Sequence, residues 1–134
     1  MKASDIKTLD KSIQRRVRLE EKVVKAIYNA VAEKAHRIRL CDGEEWANDN
    51  VQSWAELKND MHQCDEEWLQ IVFKPGTFTD EVMSGIKHRC TLWLVYGNDG
   101  YDVVADCAYN SQQVYDFISP IMDAAADKAE RGVA

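Results

Sequence analysis

No run of about 18 apolar residues occurs in the sequence, so no segment qualifies as a membrane-spanning helix. Two prolines and six glycines in 134 residues are far too few for a collagen-like or low-complexity chain. The four cysteines, Cys41, Cys64, Cys90 and Cys107, contain no Cys-x-x-Cys pair, which removes the common zinc and thiol-redox signatures. A Gly-rich phosphate loop, a nucleophile elbow and a His-Glu-x-x-His helix are also missing. The opening residues Met1-Lys2-Ala3-Ser4-Asp5 lack the apolar stretch of a secretory signal. The expectation is therefore a cytoplasmic protein whose thiols stay reduced.

What is present is ordinary globular material, 46% hydrophobic and 30% charged. A single domain over residues 1–134 can bury about two-thirds of its unfolded surface, and needs no cofactor, metal or disulfide to fold. The net charge of −6 conceals two opposed halves: residues 1–39 hold 11 Lys and Arg against 5 Asp and Glu, and residues 40–134 hold 6 against 18. Either the basic segment lies across the acidic body of its own fold, or one of the two signs serves a charged partner.

Ile6, Leu9, Ile13, Val17, Val24, Ile27 and Val31 recur at helical spacing with no Gly or Pro between Ser4 and Lys34, predicting one long amphipathic helix capped by Ser4. Lys7, Lys11, Arg15, Arg18, Lys22 and Lys25 form a stripe nearly opposite the apolar one, about 27 Å long. His36 to Cys41 reads as a strand ending at the turn Asp42-Gly43, with a short return strand over 44–47 carrying Trp46. Asn50 or Ser53 caps a short helix running to about His62, and Trp68 to Lys74 is a strand stopped by Pro75-Gly76. Residues 77–87 read equally as one helical turn capped at Thr79 or as a loop. Cys90 to Tyr96 and Tyr101 to Cys107 flank Gly97-Asn98-Asp99-Gly100 as a β-hairpin. On its second strand Asp102, Val104 and Asp106 share one face, expected to meet water, and Val103, Ala105 and Cys107 the other. A helix from Ser111 to Arg131 closes the chain, with a kink or a restart at Ser119 expected where Pro120 removes a donor. This order predicts an α+β domain: an antiparallel sheet of four to five strands with the long N- and C-terminal helices on one face.

Three kinds of site follow. The acidic residues Glu44, Glu45, Asp99, Asp102 and Asp106 offer a surface that imitates phosphates or engages a basic protein. Trp46 and Trp68, each beside paired glutamates, are candidate interface anchors, whereas Trp54 and Trp93 fall at core periodicity. The basic stripe Lys11, Arg15, Arg18, Lys22 and Lys25 can dock an acidic protein or neutralise nucleic-acid phosphates, although no aromatic residue interleaves it for base stacking. Third, His62-Gln63-Cys64 and His88-Arg89-Cys90 repeat one spacing, so His62, Cys64, His88 and Cys90 supply a two-His, two-Cys metal set for a metal- or thiol-dependent enzyme. That spacing matches no common zinc signature, and packing is the plainer role for such cysteines. The acidic runs Asp42, Glu44, Glu45 and Asp65, Glu66, Glu67 lack calcium-loop spacing and read as solvated faces.

The stretch Leu94-Val95-Tyr96-Gly97-Asn98-Asp99-Gly100-Tyr101-Asp102-Val103-Val104-Ala105-Asp106, with Ser12-Ile13-Gln14-Arg15-Arg16 and Asp42-Gly43-Glu44, resembles a group of small uncharacterised bacteriophage and prophage proteins. The likeness covers about half the chain, and the stretch from Phe73 to His88 is longer than the pattern of that group. It implies a non-enzymatic phage accessory protein that binds and modulates or inhibits a host protein, such as a component of host defence, in the host cytoplasm. Nucleic-acid binding through the basic stripe is the alternative. A homodimer through the exposed part of the first helix is also compatible with the pattern, because the stripe is longer than a small sheet can cover.

Overall fold

Asp10 decides where the first long helix begins. Its carboxylate accepts from Ile13 N at 3.1 Å and from Ser12 Oγ at 2.7 Å, while Thr8 Oγ1 closes the preceding turn onto Asp5 O. The helix expected from Ser4 is therefore two: α1 over Ala3–Ile6 and α2 over Lys11–Val31, with Asp10 as the N-cap of α2 and Lys7 outside both. A capping side chain of this kind contributes about 1 kcal/mol, enough to fix the boundary where the apolar periodicity alone runs on.

The computed structural model describes residues 1–41, 51–82 and 87–133. The expected turn at Asp42-Gly43, the return strand with Trp46, and Glu44, Glu45 and Asn50 lie outside the described residues. After α2 and a short 3-10 turn over Ala32–Lys34 come β1 (Ala35–Cys41), α3 (Trp54–Asp60), β2 (Glu66–Phe73), β3 (Arg89–Val95), β4 (Val104–Tyr109) and α4 (Gln112–Val133). Ser53 caps α3 by accepting from Glu56 N. Ser111 caps α4 through Val114 N.

The four strands form one antiparallel sheet in the order β1-β2-β3-β4, so β4 is an edge. In register, Leu40, Leu69 and Leu92 line up across β1 to β3, as do Ile38, Ile71 and Cys90. These residues are buried with Val24, Ile27 and Val31 of α2 and Val114 and Ile118 of α4, which pack side by side over that face. This is the α+β arrangement expected from the order of elements. Trp93 is a correction: alternation puts Leu92 and Leu94 in the core and turns Trp93 to the opposite face, opposite Trp68 on β2. Both indoles are half-buried.

Three local expectations also change. Trp93 pairs with Asp106 but Leu94 pairs with Val104, so a bulge at Ala105 breaks the alternation on β4. Val104 consequently leaves the face of Asp106 and turns toward the helices. Pro120 lies on the exposed side of α4, and the helix runs through it without a restart at Ser119, since Ile118, Ala125 and Ala129 bury both halves against the same core. The described residues after Pro75-Gly76 form a loop with no helical turn at Thr79. Gln113 Oε1 accepts from Thr79 N and Asp80 N, and Asp80 in turn accepts from Gln113 N and binds His88 Nε2, which clamps the loop onto the start of α4.

Candidate functional site

Building the surface starts with what holds its loops. Glu20 of α2 and Glu67 of β2 are fully buried, and Glu21 nearly so. Glu67 Oε1 accepts from the Tyr96 hydroxyl at 2.6 Å and from His62 N at 2.9 Å, and its Oε2 accepts from Gln63 N at 3.2 Å. Glu20 Oε1 meets His62 Nε2 at 2.9 Å, its Oε2 accepts from Gly97 N at 2.9 Å, and Arg16 Nε stands 3.9 Å away. His62 adopts a left-handed φ of 68° and stacks on Tyr96 with ring centroids 4.1 Å apart. Burial pushes the Glu67 carboxyl above the usual carboxylate range, against the pull of its hydrogen bonds. Burial, then the adjacent Glu67, raises the Tyr96 phenol far above its ordinary value. Buried titratable clusters accompany either chemistry or structural clamping. Each of these hydrogen bonds ties a loop residue to α2 or β2, so the cluster clamps the loops.

The clamp ends on Gly97, where the β3–β4 loop begins. Gly97 and Gly100 take φ of 101° and 100°, and a Cβ on Gly100 would lie 2.8 Å from Leu19 Cβ and 3.1 Å from Arg16 O. Only glycine allows both the conformation and the close approach to α2. Asp102 Oδ1 closes the same loop by accepting from Asp99 N and Gly100 N. A hairpin anchored in this way sets the position of β4.

Between β4 and α4 runs a groove of about 490 Å³. Asp102, Asp106 and Asp123 line it together with Tyr101, Tyr109 and Tyr115, over a floor that includes Val23, Val104, Cys107 and Met122. Among the described residues that line it there is no Lys or Arg. Tyr109 and Tyr115 are 46% and 37% exposed and stack at 4.6 Å, large rings held on the surface. Asp99, then Glu130, push the Tyr101 phenol upward, a local sign of negative potential. The backbone is also available: Asn110 N bonds Arg89 O, so strand alternation points the N–H and C=O of Cys107 and Tyr109 to the free edge. The Cys107 N–H is covered by Asp106 Oδ1 at 2.8 Å, so among the described residues Tyr109 presents the edge donor.

The sequence-derived candidates are distributed as follows. Asp102 and Asp106 line the groove, whereas Asp99 accepts from the Tyr101 hydroxyl at 3.4 Å and borders a second depression with Ser12, Arg15 and Arg16. One acidic and one basic candidate thus border a common hollow within the same chain. Lys11, Arg15, Arg18, Lys22 and Lys25 are all exposed along α2, and Lys22 and Lys25 flank a narrow cleft toward Lys128 of α4. The two His-x-Cys pairs do not assemble: His62 is bound to Glu20, His88 to Asp80, Cys90 is buried on β3 and Cys64 is exposed. Among the described residues no three His, Cys, Asp or Glu side chains converge as a ligand set.

Asp123, Tyr109 and Tyr115 were not singled out from sequence. Asp123 belongs to a helix read for its apolar stripe, and its meeting with β4 follows only from the packing of α4 on the sheet. Glu67 reads from sequence as part of a solvated acidic run, and Glu20 was not singled out. The one signal favouring burial was that Glu67 precedes an uninterrupted strand pattern. Compared with known proteins, the chain matches no family model, no curated protein and no solved structure.

Proposed function

We propose that this chain is a protein-binding domain with no reaction of its own, and that it captures a basic, extended segment of another protein along β4. The observation that carries the reading is the groove lined by Asp102, Asp106, Asp123 and three tyrosines, with no Lys or Arg among its described lining residues, beside a strand that is an edge among the described residues. An added strand gains main-chain bonds from the edge, its cationic side chains gain charge complementarity, and exposed tyrosines supply contact area at low entropy cost. Like charge on both surfaces disfavours a second copy of the chain at the same edge. The resemblance to phage proteins supports a host protein as the partner, met in the host cytoplasm and inhibited or modulated by capture. None of the described helices is long and apolar enough to cross a membrane.

The test is fluorescence anisotropy with a labelled ten-residue peptide of alternating Arg and Val. Binding that weakens with salt, and at least tenfold in Asp106→Lys with Asp123→Lys, supports the reading. No binding at low salt, or binding untouched by those reversals, contradicts it. A salt-independent dimer of the protein alone would reassign the edge to self-association.

A further inference from the structure

The exposed face of α2 carries charge of one sign. Lys11, Arg15, Arg18, Lys22 and Lys25 all stand in solvent at spacings of four, three, four and three residues, which makes one stripe about 21 Å long. The helix contains two acids, Glu20 and Glu21, and the fold buries both. Glu20 is held inside the clamp by His62 and Gly97. Glu21 stands four residues before Lys25, where a solvated carboxylate would pair with it, but it is turned inward. The remaining exposed residues of α2, Ser12, Ile13, Ala26, Asn29 and Ala30, are uncharged. Successive cations are therefore like-charge neighbours at i,i+3 or i,i+4, which destabilises the helix. Among the described residues none of the five forms an ion pair with a carboxylate. Toward the end of the stripe, Lys22 and Lys25 on one bank and Lys128 of α4 on the other flank a cleft of about 170 Å³, with Ala26, Ala125 and Ala129 in its lining and no carboxylate among its described lining residues. Asp99 borders Arg15 at the opposite end, so the uncompensated charge is concentrated at Lys22, Lys25 and Lys128.

We propose that this face docks an acidic α-helix of a partner protein, which lies along α2 with its carboxylates at the same alternating spacing and a small side chain in the lysine-flanked cleft. A helical partner fits because its charges repeat at the pitch of the stripe, and pairing them relieves the repulsion between neighbouring cations. Charge complementarity of this kind sets selectivity and speeds association. A single-stranded nucleic acid fits poorly, since Tyr28 is the only ring on α2 and is held against Trp54 and Gln52 O. A polyanion longer than the stripe would also meet residues 40–134, with 6 Lys and Arg against 18 Asp and Glu. The site is separate from the groove along β4 and of opposite sign, so it stands whether or not that groove binds.

The experiment is anisotropy of a fluorescein-labelled helical peptide of Ala and Glu, with glutamates at i, i+4, i+7 and i+11, titrated with the full chain beside a scrambled peptide of the same composition. The patterned peptide should bind at 50 mM salt at least about tenfold more tightly than the scrambled one, and more weakly at 300 mM. Lys22→Glu with Lys25→Glu should lower its affinity at least about tenfold while the melting temperature stays at or above the wild-type value, because the reversal removes the like-charge contact with Arg18. Lys87→Glu with Arg89→Glu, on exposed residues at the start of β3, makes the same change of net charge and should leave affinity within about threefold of wild type. The proposal is overturned by absence of binding at 50 mM salt, by equal affinity for the scrambled peptide, or by an equal loss in the Lys87 and Arg89 variant. A 15-base-pair DNA duplex that binds more tightly than the peptide, and loses affinity in the Lys22 and Lys25 variant, would likewise overturn it and make the face a nucleic-acid site.

Discussion

Replacing Glu67 by alanine tests whether the buried carboxylate node organises the protein. The substitution removes the shared acceptor of the Tyr96 hydroxyl, His62 N and Gln63 N, at a position with no exposure to water. Each buried donor left unpaired costs about 1–3 kcal/mol, and the lost side-chain volume adds to this. Relief of a desolvated charge offsets part of the sum, because burial already disfavours the ionised form. The expected net loss is about 3 kcal/mol, a large share of the roughly 5–15 kcal/mol that holds such a domain together. Glu67→Gln keeps one oxygen for Tyr96 and His62 but turns an amide toward Gln63 N, and should cost about 1 kcal/mol. Guanidinium denaturation followed by tryptophan fluorescence reads both values. A Glu67→Ala protein within about 0.5 kcal/mol of wild type would refute the reasoning, since surface substitutions alone give changes of that size.

Gly100→Ala should destabilise by about 2–4 kcal/mol, combining a left-handed φ with a contact inside van der Waals range of Leu19, and thermal denaturation would detect it. Burial raises the Glu21 carboxyl above its usual 4.5, with Lys58 and His62 opposing, and its Oε2 has no hydrogen-bond partner. A raised acid contributes stability that is complete below about 4.5 and lost as pH rises through the folded value. Glu21→Gln should accordingly be more stable than wild type at pH 7, with the advantage vanishing near pH 4.5, as denaturation midpoints at the two pH values would show.

The elements were legible because their periodicities are strong. Leu92 and Leu94 alternate, the apolar positions of α2 repeat at helical spacing, and Ser53 and Ser111 mark helix starts. What escaped reading depends on side chains acting on the backbone or across the chain. Asp10 ends one helix and begins another by competing for N–H groups, although the apolar pattern runs through it. The bulge at Ala105 follows from pairing with β3 and moves Val104 to the other face, a shift invisible in a strand read by itself. Of the acidic surface, Asp102 and Asp106 were identifiable from the hairpin, whereas Asp123, Tyr109 and Tyr115 join them only through the docking of α4.

Hydrogen exchange of the backbone amides, with and without the Arg-Val peptide, measures strand addition at β4 most directly. Slower exchange at Tyr109, with the amides of β1 and of α2 unchanged, is the result expected of a partner segment pairing along the free edge. Protection confined to α2, or none anywhere while the peptide is bound, would contradict it.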